Sequence, residues 1–386
     1  MPVLNRIAAF ADDMAAWRRH LHRHPELGLD CPETAAFAAA LLRGFGVDAL
    51  HEGLGRTGLV ALIHGRAPGP AVLLRADMDA LPIEEATGAP HASAVPGRMH
   101  ACGHDGHTAM LLGAARYLCE TRAFAGTAVI MIQPGEETSA GCLRMIEDGL
   151  LDLAPVREAY ALHSLPGAPV GAFVTAPGPV MAACDTFTIR FRGQGGHAAY
   201  PHETRDPILP AAACVTALQS VPARDRDPLR GCVLGVSQIH GGTTDNVVPD
   251  TAWINGTIRT FDKAVRARVH ARIAEVAQGI AASFGTAAEV EIETGYPATV
   301  NDPARTAFAV SVAREVSGLV VDDAPPEMGA EDFAFLLDRV PGCYLFVGNG
   351  DTAGLHQAGY DFDDEAAPAG ASLLARLVER ALPLEG

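Results

Sequence analysis

The sequence predicts an α/β chain: an α/β/α domain around a mostly parallel central sheet, interrupted by an inserted ferredoxin-like α+β domain. Three observations carry the prediction. Strand-like apolar runs alternate with helical segments over residues 1–183, as a layered α/β domain requires. From 184 to 296 the pattern shifts to half-buried strands in the order β-α-β-β-α-β, the ferredoxin-like unit. Over 297–386 the alternation of helix and strand resumes. The expected domains are therefore 1–183 with 297–386, and 184–296 inserted between them.

Each element has its own signal. Residues 4–22 are amphipathic and read as helical, and PETAAFAAALLRGF (32–45) opens on a proline suited to a first helical turn. GLVALIHG (58–65) and AVLLRAD (71–77) read as strands, the second ending in an acid that feeds a loop. HDGHTAMLLGAARYLCE (104–120) has helical apolar spacing. GTAVIMIQP (126–134) is a near-continuous apolar run, as in a buried parallel strand. SAGCLRMIEDG (139–149) reads as a helix stopping at glycine, and REAYALH (157–163) as a strand. In the insert, CDTFTIRFRG alternates, DPILPAAACVTALQSV (206–221) is helical, and GCVLGVSQIHGG and TAWINGTIRTFD are adjacent strands. DKAVRARVHARIAEVAQGIAASFG then forms a long amphipathic helix and AAEVEIETGY the last strand. PARTAFAVSVAREVSG, EDFAFLLDRV, GCYLFVGNG and a helix near 363–382 complete the chain.

Composition narrows the function. With 386 residues, 48% hydrophobic and 19% charged, the chain has the make-up of a folded protein and the length of two cores. A formal net charge of −17 repels nucleic acid and anionic membranes, so neither is an expected partner. A substrate bearing a carboxylate would need local arginine, histidine or metal charge. The eight cysteines are scattered without a C-x-x-C pair. Seven are expected to be buried free thiols in a reducing compartment. The opening MPVLNRIAAFADDM does not read as a signal peptide, and no apolar stretch is long enough for a bilayer. The expected location is the cytoplasm.

The residues that carry chemistry cluster where strands are expected to end, the place where open α/β sheets bind ligands. RADMDALP places Asp77 and Asp79 there, and MHACGHDGH sets Cys102 and His104 just before a helix. QPGEET brings Glu136 and Glu137, YALHS brings His163, and GLHQAGYDF brings His356. Cys102, His104, Glu137, His163 and His356 form a thiolate, imidazole and carboxylate donor set. Zn²⁺ suits it, with Mn²⁺, Co²⁺ or Ni²⁺ as further choices. Five donors exceed one tetrahedral catalytic site that keeps an open position, so they fit two ions with a bridging donor. Of the paired glutamates, one would ligate and the other stay free as a base. His107 reads as packing or as support behind the donors. The tract His20, His22, His24 reads as structural, because that spacing does not share one helix face.

Taken together, these motifs resemble the M20 metallopeptidase superfamily, in its hippurate hydrolase-like, N-acyl-amino acid amidohydrolase branch. RRHLHRHPELG, RADMDALP, HACGHDGHTAMLLGAA, QPGEE, FRGQGGHAAYPHETRDPI, GGTTDNVVPD, GTIRTFD, MGAEDF and LHQAGYDFDDEA carry the resemblance over nearly the whole chain. It implies that Cys102 is the bridging donor, Glu136 the general base and Asp79 an aspartate that orients the site. It further implies that the insert is a lid and dimerisation domain of a homodimer. His197 would then stabilise the reacting carbonyl across the dimer, and Asn246 and Arg259 would hold the carboxylate or carbonyl oxygens of a small-molecule substrate. Asp77 stands where other branches carry a histidine ligand, which leaves its role open. The implied reaction is hydrolysis of the amide of an N-acetyl or N-benzoyl type amino acid. The alternatives are a metallo-dipeptidase or aminopeptidase, a non-catalytic binder, and a Cys102 nucleophile with His104 as its base. The last leaves the paired glutamates and the other strand-end histidines without a task.

Overall fold

The computed structural model describes residues 4–384. Two compact units are present, each with its own hydrophobic core. The first is drawn from Met1–Val180, Val300–Pro326 and Asp332–Gly386, the second from Met181–Thr299 and Glu327–Glu331.

The first unit is built on an eight-stranded sheet. At its centre Ala125–Gln133, Ala67–Asp77, Val156–Leu165 and Gly342–Gly348 lie side by side and parallel. Their middle residues, such as Val72, Leu74, Ile130 and Leu345, are fully buried. That is why these strands read as continuous apolar runs rather than alternating ones. Gly58–His64 and Ala49–Leu54 extend one side antiparallel, and Phe173–Val174 and Val320–Val321 extend the other. Ala49–Leu54 escapes a reading from sequence because it is a half-exposed edge carrying His51 and Glu52.

Helix His104–Thr121 is buried along almost its whole length. Helices Ala11–Arg23, Pro32–Phe45 and Ala367–Ala381 pack against it. The opening helical stretch is in fact two pieces, Asn5–Ala8 and Ala11–Arg23. Phe10 lies buried at the break, with the Arg6 and Arg116 guanidinium groups 5.1 and 4.4 Å from its ring centre. Of EDFAFLLDRV only Ala334–Leu337 is α-helical.

The second unit has the strand order Cys232–Gly241, Thr251–Thr260, Ala183–Arg192, Ala287–Thr294, all antiparallel. The strands that come first and third in the chain, Ala183–Arg192 and Thr251–Thr260, are central, as in a ferredoxin-like sheet. Phe187, Ile189, Phe191, Ile254 and Ile258 alternate inward onto Val269 and Ile273 of helix Lys263–Ser283. Asp262 caps that helix by accepting from the Ala264 and Val265 amides.

All eight cysteines are free thiols. Cys184 and Cys232 are only partly buried, unlike the other six. This corrects the expectation of burial for every thiol outside Cys102. Both belong to sheet strands of the second unit, where alternate residues turn away from the core.

Candidate metal centre

The four central parallel strands of the first unit deliver the chemistry at their carboxyl ends. Asp77 is the last residue of Ala67–Asp77, with Asp79 two residues on. Glu136 and Glu137 open the short helix that follows Ala125–Gln133. His163 lies near the end of Val156–Leu165, and His356 in the loop after Gly342–Gly348. Cys102 and Gly103 lead into helix His104–Thr121, which begins with His104 itself. Gly103 (φ 91°) and His356 (φ 61°) both adopt left-handed backbone. Such a turn is cheap for glycine but rare for histidine and costs backbone energy.

Two triads result. Donor atoms of Cys102, His104 and His163 lie within 4.8 Å of one another, and so do those of Cys102, Glu137 and His356. Cys102 belongs to both. Its Sγ is 3.3 Å from His163 Nε2. His356 Nε2 is 3.4 Å and His104 Nε2 3.9 Å from the same Glu137 Oε1. Glu136, buried beside them, forms a third group at the same reach with His104 and Glu137. All five sequence-expected donors are thus brought together, with Cys102 in the shared place.

The arrangement fits divalent cations. Both ring nitrogens of His104 and Oε1 of Glu137 are buried without a hydrogen-bond partner. Polar atoms are seldom left so unless a ligand or ion completes them. Burial pushes the Cys102 thiol up, and the nearby His104 works against that rise. Burial, reinforced by His107 and His104, holds His163 well below the ordinary histidine range, in the neutral form that ligates. His356 is raised to about 10 by the adjoining Cys102 and Glu137. A cation entering here displaces protons. Thiolate, imidazole and carboxylate in two triads with one common sulfur make a site for two divalent ions.

Asp79 ties the carboxylate loop to the histidine. Its Oδ1 accepts from the Glu136 amide at 3.0 Å and its Oδ2 from the Glu137 amide at 3.2 Å. The same Oδ1 faces His104 Nδ1 at 3.5 Å, which turns His104 Nε2 towards Glu137. Asp77 is fully buried and accepts from His107 Nδ1 at 2.6 Å and Arg75 Nη1 at 2.7 Å. Reading the sequence missed Arg75, Ser164 and Tyr360, which all contact this region. Arg75 left a usable signal: a charged residue inside the apolar run AVLLRAD implies a buried partner.

Three further expected residues, His197, Asn246 and Arg259, lie in the second unit. His197 pairs with Val247 in a short two-stranded ribbon, and the Ala198 amide donates to the Asn246 carbonyl. Arg259 Nη1 is buried without a hydrogen-bond partner, and burial lowers its pKa. Of the histidine tract, His22 is buried against Asp105 and Glu85, while His24 Nδ1 bonds the His20 carbonyl of its own helix.

Residues 73–380 match the model of peptidase family M20/M25/M40. Over 350 residues the chain is 43% identical to the N-acetyl-L-cysteine deacetylase of Bacillus subtilis (strain 168), spanning 90% of this chain and 83% of that protein. Over 349 residues it is 39% identical to thermostable carboxypeptidase 1 of Saccharolobus solfataricus, spanning 89% and 88%. It is also similar to the crystal structure of the Bacillus subtilis YXEP protein, a dinuclear metal binding peptidase from the M20 family. The TM-score is 0.87 at 34% identity, covering 97% of this chain and 99% of that one.

Proposed function

Because the chain belongs to peptidase family M20/M25/M40, we propose that it hydrolyses the amide bond of small N-acylated amino acids to a carboxylic acid and a free amino acid. The observation that carries the reading is the pair of three-donor groups sharing Cys102. The similarity to a deacetylase of an N-acetylated amino acid supports the substrate class. When bound, two divalent ions polarise the amide carbonyl and lower the pKa of water towards about 7. Zinc suits the donors first, with manganese, cobalt or nickel as further choices.

The chain's own residues do the rest. Glu136 takes the proton of the attacking water and returns it to the leaving nitrogen. Asp79 fixes Glu136 and Glu137 through their amides and sets the ring of His104. Arg259, with a buried nitrogen lacking a partner, suits the free carboxylate of the amino acid. Asn246 assists it, and His197 donates to the developing oxyanion. In this reading the enzyme is a cytoplasmic homodimer assembled through its second unit.

A second reading, as a peptidase of unblocked small peptides, draws on the carboxypeptidase relative. A panel of N-acetyl amino acids, N-benzoyl amino acids and free dipeptides separates the two. Turnover of acylated amino acids that vanishes on chelation and returns with Zn²⁺ or Mn²⁺ is the expected result. Cleavage of free dipeptides alone moves the protein to the second reading.

A further inference from the structure

Behind the donors lies a chain of hydrogen bonds that the reaction itself does not use. Arg75 is buried and holds Gln133 Oε1 at 2.8 Å, Asp332 Oδ1 at 3.0 Å and Asp77 Oδ2 at 2.7 Å. The other oxygen of Asp77 is 2.6 Å from His107 Nδ1. On the far side of that ring, Nε2 is 2.8 Å from the Ser164 amide nitrogen. A backbone N–H only donates, so His107 Nε2 must accept. The ring proton therefore sits on Nδ1, where Asp77 accepts it. Both nitrogens of His107 are used, so the ring is no donor to an ion even though Asp77, His104 and His107 lie within 4.8 Å of one another.

Ser164 passes the constraint forward by two routes. Its carbonyl accepts from His163 Nδ1 at 2.8 Å, which leaves His163 Nε2 directed at Cys102 Sγ. Its hydroxyl donates to the Cys102 carbonyl at 3.1 Å and lies 2.9 Å from Tyr360 Oη. The donor segment is pressed against this serine: a side chain on Gly103 would put a carbon 2.7 Å from Ser164 Oγ. Glu137 and His356 receive no hydrogen bond from Asp77, His107 or Ser164.

We infer that Asp77, His107 and Ser164 form a positioning relay that sets the His163 ring, and so governs one ion of the pair, the one held by Cys102, His104 and His163. The inference rests on the two-metal reading. It gives Asp77 a role without making it a ligand: its carboxylate fixes the tautomer of His107. Losing the relay weakens that ion and spares the one at Glu137 and His356.

The test is metal binding rather than turnover. Chelated wild type, His107→Phe, His107→Gln and Ser164→Ala are titrated with Zn²⁺ by calorimetry and with Co²⁺ by absorption, with circular dichroism as the check on folding. Wild type takes two ions. His107→Phe keeps one at wild-type affinity and binds the other about 10- to 100-fold more weakly, the usual effect of losing an outer-shell partner. His107→Gln, which still offers the Ser164 amide an acceptor, recovers part of the loss. Ser164→Ala, which keeps the amide and carbonyl that meet His107 and His163 and loses only the hydroxyl bond to the shared donor Cys102, does not single out that ion, and His107→Gln carries the test if His107→Phe does not fold. Equal weakening of both ions, or of neither, in the folded His107 variants overturns the relay while leaving the two-metal reading intact. A wild type that takes fewer than two ions overturns that reading, and the relay with it.

Discussion

Glu136 and Glu137 are adjacent in sequence but have different neighbours. Glu137 Oε1 sits 3.4 Å from His356 and belongs to a donor triad with Cys102, whereas Glu136 shares no such group with Cys102. Glu136→Gln keeps the size and the backbone N–H that donates to Asp79. It should therefore still bind two ions by calorimetry while its turnover falls by about 10²- to 10⁴-fold. Wild-type turnover in a two-ion Glu136→Gln protein would remove the base assignment. A second expectation concerns Cys102 and His356. Burial raises the thiol and the adjoining Cys102 and Glu137 raise the imidazole, so both hold protons that a cation must displace. Metal affinity should climb with pH, and calorimetry in buffers of different ionisation enthalpy should detect released protons. The donor residue types were legible in the sequence. Their orientation was not, since it is set by Asp79 and Ser164 hydrogen bonds between segments far apart in the chain.

Helices Ala11–Arg23 and His104–Thr121 are joined by buried charge as well as by apolar packing. His22 Nδ1 lies 2.8 Å from Asp105 Oδ2 and His22 Nε2 lies 3.3 Å from Glu85 Oε1, while Arg18 binds Asp361 and Asp364. Burial opposes the charge on His22, but Asp105 and Glu85 overcome it and raise the group to about 10. The unfolded histidine titrates near about 6.5. Its contribution to stability is thus full below that value and is lost as pH rises through about 10. Chemical denaturation from pH 6 to 10 should show a falling stability, and His22→Gln should flatten the fall. An unchanged slope in the variant would assign the pH dependence elsewhere. At this scale the sequence reading of the histidine tract as structural agrees with where the side chains lie. The partners of His22 were hidden because Asp105 and Glu85 come from other elements, and periodicity reports only which way a residue faces.

At the scale of the whole molecule, the donors come from four separate stretches of the first unit, Cys102–His104, Glu136–Glu137, His163 and His356, with Asp79 behind them. No unfolded chain keeps them together, so a bound ion stabilises the fold by mass action. Each ion at a hundredfold excess over its Kd adds about 2.7 kcal/mol. Differential scanning calorimetry should show Tm rising with Zn²⁺ and falling on chelation. A melting profile indifferent to both would mean that these residues hold no ion. No helix among the described residues is long and apolar enough to cross a membrane.

What the sequence by itself determined is what local chemistry and periodicity encode. The apolar runs AVLLRAD and GTAVIMIQP specified buried parallel strands, and the alternation in CDTFTIRFRG specified a sheet with one covered face. The motifs at the strand ends singled out the candidate donor side chains that the fold gathers. Tertiary structure alone decided how those donors divide into two triads sharing Cys102, that Asp79 faces His104 while holding the glutamate loop, and that Asp77 serves His107. The physical reason is that a strand fixes the direction of a residue from its immediate neighbours, whereas a hydrogen bond between residues 30 or more positions apart, such as Asp77 to His107, depends on how the strands are ordered in the sheet.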